Sequence, residues 1–571
     1  MNTTPDDKSA AENAQGESRR DFLKMGAVAG AVSVGGLGSF YFGYGAAVAN
    51  PVRVGVIGTG DEGSVLLGAI NPKYIEVKSI ADIRPYNVHR AFHGDVSSPA
   101  AQKARCGLME KYGWRSEDEA RRNVKVYGPY EDLIKNARND GIEAVIIALP
   151  LHLHAPAAIK AMRSGLHVLT EKLMGHSVHE CKEMARVAQA TGMLLATGHQ
   201  RHYNILYHEA VDQIQRGLLG DLHYIRAQWH RGNMPGADSW QQPLPKDAKP
   251  DDAQAKKLVE KLSSWRKKLD SVTGTQIDEW RKKVAQLEAQ IADVVLSRKP
   301  KGEKQILAEK YGYQRAEIAQ PGGGTYNRPA IEELIRWRLW DRTGGGLMAE
   351  LGSHQLDAAS IFVSAVHNGY KQIPLNVVAA ANRPVFPADR DVNDHVYCII
   401  EFPAPGYDAK DPLASRKKIG VQYSSINGNG FGGYGEIVFG TKGTLILERE
   451  KETTLLRGPS SSKVKVEKGP TMDTQASGAA QVATKGPARD VSRGYTEEEE
   501  HWAWCIRNPD PENRPRCHPK VALGDAVIAL TTNIAAREGK RIEFDEEWFD
   551  PDSDKTPEGV KPDVNRKQYK V

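Results

Sequence analysis

A glycine-rich turn between an apolar strand and a helix constrains the fold of this chain more than any other feature. The predicted strand is Val52–Ile57, and the turn consists of Gly58, Thr59, Gly60, Asp61, Glu62 and Gly63. In this spacing the first glycine permits a tight turn, the second lets the backbone approach a pyrophosphate, and the third lets strand and helix pack closely. The free N–H groups and the dipole of the following helix favour phosphate groups. The segment is therefore predicted to bind a dinucleotide.

An acidic residue further along the chain indicates which dinucleotide is bound. Asp82 ends the second predicted strand, about twenty residues after the turn, where a carboxylate accepts hydrogen bonds from the ribose hydroxyls. An acid at this position disfavours a 2′-phosphate, so NAD is the expected cofactor. Arg84 follows close behind and leaves NADP as the alternative, because a guanidinium can accommodate the additional phosphate.

Strands and helices alternate from residue 50 to residue 200. The predicted strands are Val52–Ile57, Ile75–Ala81, Val124–Tyr127, Ala144–Ala148, His167–Thr170 and Leu194–Thr197, and the predicted helices between them include Glu131–Arg138, Ala155–Ser164 and Val178–Ala190. This alternation is typical of a parallel sheet covered on both faces. Residues 50–200 are therefore predicted to form a doubly wound Rossmann domain.

The pattern changes after residue 201, where strands follow one another with few helices between them. The predicted strands are Leu222–Trp229, Val377–Ala380, His395–Phe402, Ile419–Ser425, Gly435–Phe439 and Thr444–Glu448. Such runs favour a large, mostly antiparallel sheet. Residues 201–547 are predicted to form a C-terminal α/β domain on that sheet, so the fold class is α/β followed by α+β.

Two segments interrupt the second domain, and a tail follows it. In residues 241–328, two heptad seams predict an antiparallel helical hairpin; they are Leu262, Trp265, Leu269 and Val272, then Ile277, Trp280, Val284, Leu287, Ile291 and Val294. The favoured interpretation is a surface decoration, and the alternatives are an oligomer contact or a lid over the active site. Residues 458–494 are predicted to be a long loop. The charged tail, residues 548–571, is predicted to wrap the surface.

Residues 1–49 have the organisation of an export leader. Arg19 and Arg20 lie in the segment Ser18–Lys24, which reads as a twin-arginine motif, and an uncharged run rich in glycine and alanine follows. Ala47–Ala49 is a candidate cleavage site, and the alternative is an uncleaved membrane anchor. The chain is therefore predicted to be exported by the twin-arginine translocase, to the periplasm or beyond. Because that route carries folded cargo, the cofactor is expected to be tightly bound.

The composition of the 571 residues limits the function classes. The 40% hydrophobic content supports roughly two to four domains with their own cores. The net charge of +5 comes without any aromatic-studded basic patch, which argues against nucleic-acid binding. The five cysteines are scattered and include no CxxC pair, so neither a zinc site nor a disulfide framework is predicted. No metal is expected.

Two further motifs contain residues suited to catalysis. Glu171 and Lys172 follow the fifth strand of the predicted Rossmann sheet, at the carboxyl edge where open α/β sheets bind their ligands. A second motif begins with three consecutive glycines at positions 344–346 and contains Glu350, His354 and Asp357. On a helix this spacing places the three side chains on one face.

Together these motifs resemble the glucose–fructose oxidoreductase, inositol dehydrogenase and MocA (Gfo/Idh/MocA) family. The segments that carry the resemblance are the glycine turn, Leu149–His154, the Glu171–Lys172 pair, Gly198–Arg201 and the stretch from Gly344 to Asp357. The resemblance implies a Rossmann domain joined to an α/β domain whose sheet faces the nicotinamide. It further implies hydride transfer at a hydroxyl carbon of a sugar or polyol. A homodimer or homotetramer formed through the open face of the large sheet is also implied.

The resemblance assigns a role to each motif residue. Lys172 matches the catalytic lysine and His354 the proton-transferring histidine, while Glu350 stands where an aspartate usually helps to position the substrate. A histidine suits removal of the hydroxyl proton, and a neighbouring lysine can stabilise the alkoxide that develops. Asp357 is expected to orient the histidine or bind a substrate hydroxyl. Besides the glycine turn, Asp82 and Arg84, five further residues are expected to contact the cofactor. They are Leu149, Pro150, His154, Glu171 and Lys172.

The chain departs from the family pattern at two positions. Leu173 replaces the proline that usually follows the Glu-Lys pair, and leucine resists a cis bond, so the loop that presents Lys172 is expected to differ. Glu350 is one methylene longer than the usual aspartate. The predicted domain junction carries further polar side chains that either line a sugar pocket or serve packing, namely His199, Arg201, Tyr203, His230 and Arg231.

The leading hypothesis is an exported NAD(P)-dependent oxidoreductase that acts on a sugar or cyclitol. The second is a redox-neutral enzyme related to the NAD-dependent glycosidases, in which transient oxidation permits elimination of the glycoside. The third, from another class, is an NAD-binding scaffold without turnover, since a fold does not dictate a function.

Overall fold

The computed structural model describes residues 35–571 except 46, 246–247, 250–251, 298–306, 320–321, 387–388, 451 and 458–492. The twin-arginine motif lies outside the described residues, and so does nearly all of the predicted loop at 458–494.

The first domain is built on a six-stranded parallel sheet. Its strands are β1 (Val52–Ile57), β2 (Ile75–Ala81), β3 (Lys125–Tyr127), β4 (Ala144–Ile147), β5 (His167–Glu171) and β6 (Leu195–Gly198). The order β3-β2-β1-β4-β5-β6 confirms the predicted doubly wound Rossmann sheet. The direction of winding reverses between β1 and β4, and a crevice opens at the carboxyl ends of these two strands.

Helices cover both faces of this sheet. They follow a short N-terminal helix, α1 (Gly35–Phe42), and are α2 (Asp61–Ala69), α3 (Pro85–His93), α4 (Pro99–Ala104), α5 (Gly107–Tyr112), α6 (Glu117–Asn123), α7 (Tyr130–Asn136), α8 (His154–Arg163) and α9 (Val178–Thr191). Helix α9 shows how local sequence sets the bounds. The Ser177 side chain accepts a hydrogen bond from the Glu180 N–H at its start, and left-handed Gly192 ends it.

The second domain is built on an eight-stranded sheet. Its strands are β7 (Leu222–Trp229), β10 (Asn376–Asn382), β11 (His395–Pro403), β12 (Lys418–Ile426), β13 (Tyr434–Gly440), β14 (Gly443–Glu448), β15 (Glu452–Arg457) and β16 (Ile542–Glu543). Between β7 and β10, the strands β8 (Ala316–Ala319) and β9 (Thr325–Arg328) form a separate hairpin. The sheet order is β15-β14-β13-β7-β12-β11-β10-β16, and β7–β12 is its one parallel pair. The predicted mostly antiparallel sheet is therefore confirmed, although β15 and β16 were not predicted.

One face of the large sheet is covered and the other is open. The helices of this domain are α10 (Ile205–Gln215), α11 (Ala253–Ser271), α12 (Gln276–Ala292), α13 (Ala330–Ile335), α14 (Asp341–Gly344), α15 (Ser353–Ala365), α16 (Tyr495–Arg507) and α17 (Pro519–Glu538). Helix α15 packs against β7, and α17 packs against β10. On the opposite face Val378, Tyr397 and Ile399 are exposed.

The inserted segment folds as a helical hairpin that leans on the first domain. Leu258 and Leu262 of α11 form a small core with Val284 and Leu287 of α12, as the heptad seams predict. Helix α12 packs against α3 of the Rossmann domain. Gln286 accepts a hydrogen bond from the Val96 N–H and donates one to Asp95. The insert is therefore part of the junction between the domains, which the favoured interpretation as a surface decoration did not anticipate.

The tail runs across the first domain, against α9. The Lys182 ammonium donates hydrogen bonds to the backbone oxygens of Glu547, Ser553 and Lys555, at 2.7–2.9 Å. Near the end of the chain the fully buried Tyr569 donates to the Glu183 carboxylate. The tail thus supplies partners for charged groups on a helix that would otherwise bury them unpaired.

The residues before the candidate cleavage site pack into the protein. Phe42 and Tyr44 are buried, the Phe42 ring lies 5.6 Å from that of Tyr203, and the Tyr44 hydroxyl donates to Glu500 at 2.6 Å. Cleavage after Ala49 would remove both side chains from these contacts. None of the helices in the described part of the chain combines the length and the apolar character needed to cross a membrane.

Candidate active site

A cavity of about 1090 Å³ lies where the carboxyl ends of the Rossmann strands face the second domain. Ligand pockets typically enclose roughly 300 to 1,000 Å³, so this one has room for a dinucleotide and a small substrate together. Its walls come from three parts of the chain: the Rossmann domain, the large-sheet domain, and the insert, which contributes Tyr311 and Tyr313.

The glycine turn forms one end of this cavity. Gly58 has φ +83°, and a Cβ there would lie 2.4 Å from the Ala148 oxygen. A Cβ on Gly63 would lie 2.0 Å from the Gly58 oxygen, so neither position tolerates a side chain. Gly60 faces the cavity, where a Cβ would meet only the Asn87 amide at 3.6 Å. Helix α2 begins immediately after Gly60, and its N-terminus suits an anionic group. The cradle therefore fits a pyrophosphate.

Asp82 closes the turn from the neighbouring strand. Its carboxylate accepts hydrogen bonds from the Thr59 N–H at 2.8 Å, the Arg84 N–H at 2.9 Å and the Asn87 amide at 3.1 Å. Thr59 itself is fully buried and does not line the cavity. Asp82 lines the cavity while it fixes the shape of the turn.

The insert binds the side chain of Arg84. The Arg84 Nε donates to the Asp293 carboxylate at 2.9 Å, and both side chains are buried. The Tyr86 N–H donates to the other oxygen of Asp293. Asp293 follows α12 directly, so a residue of the insert neutralises the guanidinium that a 2′-phosphate would require.

Three acidic side chains, those of Asp61, Glu62 and Glu171, line the cavity near the turn. Arg90 donates to Asp61 at 2.7 Å; burial opposes ionisation, but Arg90 still holds the pKa of Asp61 well below its usual range. Burial and the nearby Glu62 carboxylate raise the pKa of Glu171 to about 8. Glu171 is therefore predominantly protonated and neutral at neutral pH. Its neutral carboxyl reduces the total negative charge near the predicted pyrophosphate site.

The loops that follow β4 and β5 are clamped together by His154. Its ring nitrogens lie 2.7 Å from the Leu173 oxygen and 2.9 Å from the Leu149 oxygen. Leu149, Pro150 and His154 all line the cavity. The Lys172–Leu173 peptide bond is cis, although leucine is expected to resist this geometry.

Lys172 projects from the Rossmann domain toward the second domain. Its Nζ donates a 2.8 Å hydrogen bond to the backbone oxygen of Glu350. The Glu350 carboxylate in turn accepts a 2.8 Å hydrogen bond from the Nε of Arg338. Burial opposes ionisation of Glu350, but Arg338 and Lys172 lower its pKa below the ordinary value. Glu350 is thus an anion already paired with Arg338.

His354 faces the same cavity from the start of α15. Its ring centroid lies 5.4 Å from that of Trp229, and its buried Nδ1 has no hydrogen-bond partner within the described residues. Burial lowers the pKa of His354 well below its ordinary value, and the Lys172 ammonium adds to this effect. The imidazole is therefore neutral at physiological pH and able to accept a proton.

Asp357 does not share the open face with Glu350 and His354. It is buried behind the cavity wall, where one carboxylate oxygen lies 2.9 Å from the Nε2 of His202 and the other 3.6 Å from the Nδ1 of His199. Glu350 lies in the π-turn Met348–Gly352, whereas His354 and Asp357 both lie in the regular helix α15. The predicted shared face fails because the Asp357 carboxylate is held by His199 and His202 instead of entering the cavity. His199 is fully buried, and this burial lowers its pKa to about 3.

The predicted junction residues separate into two groups. Arg231 lines the cavity, whereas His199, Arg201, Tyr203 and His230 do not. Arg201 is buried and donates to Glu450 at 2.9 Å, and the Tyr203 hydroxyl accepts a hydrogen bond from the Arg516 N–H. These two are packing residues, as the alternative interpretation held.

Several cavity residues carried no sequence signal. Arg338, Arg493 and Tyr313 line the cavity, yet they lie outside every motif. Charged and aromatic residues are common in the segments that contain them, so their number and spacing could not single them out. They are identified only by the packing of the insert and of α16 against the Rossmann domain.

A group of potential metal ligands lies behind the cavity. Side-chain atoms of His199, Asp357 and Asp525 lie within 4.8 Å of one another, and His202, Cys517 and Asp525 form a second such group. The Lys371 ammonium donates to Asp525 in the same cluster. Lys371 thus already supplies the positive charge that a cation would bring.

The first domain matches the sequence model of the family described as "Oxidoreductase family, NAD-binding Rossmann fold" over residues 52–199. Residues 52–199 are thus similar to the NAD-binding domain of the Gfo/Idh/MocA family. Among curated relatives, a glycosyl hydrolase family 109 protein of Stenotrophomonas maltophilia is 29% identical over 181 residues, 31% of this chain and 35% of the relative. A dTDP-3,4-didehydro-2,6-dideoxy-α-D-glucose 3-reductase of Streptomyces violaceoruber is 30% identical over 120 residues, 20% of this chain and 34% of the relative. The chain thus spans about a third of the length of these relatives.

The whole architecture also matches solved Gfo/Idh/MocA structures. The inositol dehydrogenase homolog of Azotobacter vinelandii, solved with NADH and myo-inositol, is similar with a TM-score of 0.52 and 13% identity. The match covers 87% of this chain and 98% of that protein. The similarity establishes the fold: a Rossmann domain followed by a domain with a mixed, mostly antiparallel sheet.

Proposed function

We propose that this protein is an NAD-dependent oxidoreductase that transfers a hydride at a hydroxyl carbon of a sugar or cyclitol. The observation that carries the proposal is that Lys172 and His354, from different domains, line one cavity that ends at the glycine turn. The family match is confined to the first domain, so it does not bring Lys172 and His354 together. The shared cavity is what brings them together.

His354 acts as the base in this proposal. Its low pKa keeps the imidazole unprotonated at neutral pH, so it can take the hydroxyl proton as the carbon is oxidised. Lys172 provides a positive charge close by, which stabilises the alkoxide character that develops on the substrate oxygen. Glu350 holds Arg338 at the cavity wall, and its backbone oxygen orients the Lys172 ammonium.

The residues that would hold the cofactor are those of the glycine turn, the N-terminus of α2, Asp82 and the loop from Leu149 to His154. When bound, the nicotinamide would accept the hydride from the substrate carbon. The Arg84–Asp293 ion pair supports NAD over NADP, because the guanidinium is already neutralised by the insert.

The test is turnover by the full chain with NAD and a panel of hexoses, inositols and their glycosides, followed by the absorbance of reduced nicotinamide. We expect substrate-dependent reduction in the wild type and its loss in the double variant Lys172→Ala, His354→Ala. Turnover that persists in the double variant would refute the proposed roles. Cofactor binding without any substrate response would favour a scaffold without turnover.

A redox-neutral glycosidase or lyase is the second candidate, favoured by the similarity to a glycosyl hydrolase family 109 protein. In such a cycle a transient ketone acidifies the neighbouring C–H bond, and a base removes that proton so that the aglycone leaves. Release of para-nitrophenol from para-nitrophenyl glycosides without net formation of NADH would favour this candidate. Stoichiometric NADH would favour the dehydrogenase.

Export by the twin-arginine translocase is part of the proposal and rests on the Ser18–Lys24 motif. Replacement of Arg19 and Arg20 by lysine should abolish delivery to the exported fraction. Protein recovered from that fraction should release stoichiometric nicotinamide cofactor on denaturation, because it would leave the cytoplasm already loaded. A protein that stays in the cytoplasm with an intact motif would refute export.

Self-association is proposed through the open face of the large sheet. Val378, Tyr397 and Ile399 expose apolar surface on this face. The residues that alternate with them on β10 and β11 point to the other face of the sheet and are mostly buried. Sedimentation of the wild type and of Ile399→Lys distinguishes the outcomes. A dimer or tetramer that dissociates in the variant supports the proposal, and a monomeric wild type contradicts it.

A further inference from the structure

We propose that the substrate carries a carboxylate and that Arg231 binds it. The inference deepens the proposed function, since it takes the cavity described above as the substrate site and names the chemical class of substrate. It rests on a cationic side chain in the cavity that has no anionic partner within the described residues.

The backbone that carries Arg231 is fixed by the large sheet. Arg231 follows β7, its N–H donates to the Ile426 oxygen at 2.9 Å, and the N–H of His230 donates to the Gly433 oxygen at 2.8 Å. The side chain therefore leaves a rigid strand end rather than a free loop. Rigid supports of this kind hold binding groups in place before the ligand arrives.

Two indole rings hold the guanidinium. Its central carbon lies 5.7 Å from the ring centroid of Trp229 and 5.7 Å from that of Trp240. Both rings line the cavity beside His354. Cation–π contacts orient a guanidinium but do not use its hydrogen bonds, so the donor groups remain available.

The nearby carboxylates are all taken by other arginines. Glu350 accepts from Arg338 at 2.8 Å, and Asp238 accepts from Arg390 at 2.8 Å. Glu450, which is buried outside the cavity lining, binds both Arg201 and Arg493. In the part of the chain that the structure describes, Arg231 makes no ion pair, and its Nε is buried without a hydrogen-bond partner.

A partly buried cation without a counter-ion raises the free energy of the folded protein. An anionic ligand that pairs with the cation offsets this cost. The pKa of Arg231 is lowered by burial and by Arg338, which reflects this unfavourable environment. Lys172 adds a second positive charge to the same region, and within the described residues its ammonium hydrogen-bonds only to the backbone oxygen of Glu350. A neutral sugar would leave Arg231 unpaired, whereas a sugar acid would satisfy it.

The shape of the site favours a carboxylate among anions. A guanidinium binds a planar carboxylate through two parallel hydrogen bonds, and the indole rings bordering it restrict the approach to that plane. Phosphate and sulfate esters share the negative charge but are tetrahedral. They are therefore the alternative sources of the same charge, and the test includes one of them.

The experiment is calorimetric binding to the full chain with NAD present. The probes are the methyl glycosides of D-glucuronate and D-galacturonate, both anomers of each, their neutral parents methyl D-glucoside and methyl D-galactoside, and glucose 6-phosphate. We expect at least one uronate to bind about tenfold or more tightly than its neutral parent. Arg231→Met should abolish that preference, and Arg231→Lys should retain part of it, because it keeps the charge but loses the bidentate geometry.

Arg226 provides the matched control. It lies on the same strand, on the opposite and exposed face of the sheet. Arg226→Met should keep the uronate preference, and circular dichroism of each variant establishes that it is folded. If Arg231→Met does not fold, the salt dependence of uronate binding in the wild type and in Arg231→Lys replaces that comparison; affinity that does not fall with added salt contradicts the inference.

Other outcomes overturn the inference. Neutral parents that bind as tightly as every uronate would refute it, and so would a preference that survives in Arg231→Met. Tightest binding of glucose 6-phosphate would assign the site to a phosphate and refute the carboxylate. Uronate binding without NAD reduction would instead refute the proposed dehydrogenase function and leave this inference standing.

Discussion

The ammonium of Lys172 donates a 2.8 Å hydrogen bond to the backbone oxygen of Glu350, a residue 178 positions away in the other domain. The bond joins the end of β5 to the π-turn that precedes α15. It places the charge of Lys172 on the same cavity wall as His354, so the proposed catalytic pair exists only when the two domains are docked.

Replacement of Lys172 by methionine should therefore impair chemistry more than binding. We expect kcat to fall by about 100-fold to 1,000-fold, the effect typical of removing one electrostatic stabiliser, with little change in the Kd for NAD. Steady-state kinetics and calorimetry measure the two quantities. Lys125→Met, at an exposed position of β3, serves as the control. A loss of NAD binding equal to the loss of kcat would show that Lys172 holds the cofactor instead.

The proton acceptor should be active at unusually low pH. Burial and the neighbouring Lys172 ammonium keep the pKa of His354 well below 6.5, so the neutral imidazole persists as the pH falls through 6.5. We expect the acidic limb of the kcat/KM profile to lie below pH 6.5. In Lys172→Met the limb should move to higher pH, because one charge that opposes protonation is gone. If the acidic limb stays at the same pH in Lys172→Met, His354 is excluded as the group whose protonation causes that limb.

Glu171 should make stability depend on pH. Its pKa is raised from 4.5 to about 8, so the folded carboxyl holds a proton that the unfolded chain releases. The resulting stabilisation is complete below about pH 4.5 and is lost as the pH rises through about 8. Between about pH 5 and pH 8 the free energy of unfolding should fall by about 3 to 4 kcal/mol relative to Glu171→Gln. Denaturant titrations at several pH values test this, with the exposed Glu317→Gln as the control. Parallel pH dependences of wild type and Glu171→Gln would contradict it.

Release of Arg84 from the insert should relax cofactor preference. In Asp293→Asn the guanidinium loses its counter-ion and becomes available to a 2′-phosphate. We expect the ratio of NADP to NAD affinity to rise by about tenfold, measured by calorimetry with each cofactor. Asp270→Asn, exposed on α11 of the same insert, should leave the ratio unchanged. Equal effects of the two substitutions would assign the change to the insert as a whole.

The packed segment before residue 46 should contribute to stability. Phe42 and Tyr44 are buried, and burial of such a side chain contributes about 1.5 to 3 kcal/mol. A chain that begins at residue 35 should therefore have a higher free energy of unfolding than one that begins at residue 50, by about 3 kcal/mol or more. Denaturant unfolding of the two chains measures the difference. Identical midpoints would show that the segment contributes no stability in solution.

The fold could be predicted from sequence wherever local pattern and tertiary environment agree. Strands β1 and β2 have the predicted bounds, because each consists mostly of buried residues with several β-branched side chains and ends at a turn or a polar residue. Strand β7 was equally clear from its alternating pattern. The two residues of β16 carry too little pattern to be recognised, since their pairing with β10 depends on the path of the chain after α17.

The site was predictable only where residues belong to a motif. Lys172 and His354 were identified because each stands in a short segment with a resemblance to known enzymes, and both line the cavity. Asp357 was misplaced because nothing in the sequence indicates that His199 and His202 hold its carboxylate behind the cavity wall. Arg338 reaches the site through packing between elements far apart in the chain, which no local pattern encodes.

The contact between Glu183 and Tyr569 bears on how the protein is made. Lys182 and Glu183 belong to the Rossmann domain, yet the groups that satisfy them are supplied by residues 547–569. The ribosome synthesises the chain from its N-terminus, so α9 emerges long before its partners are synthesised. The nucleotide-binding domain therefore cannot complete its structure until residues 547–569 have been synthesised.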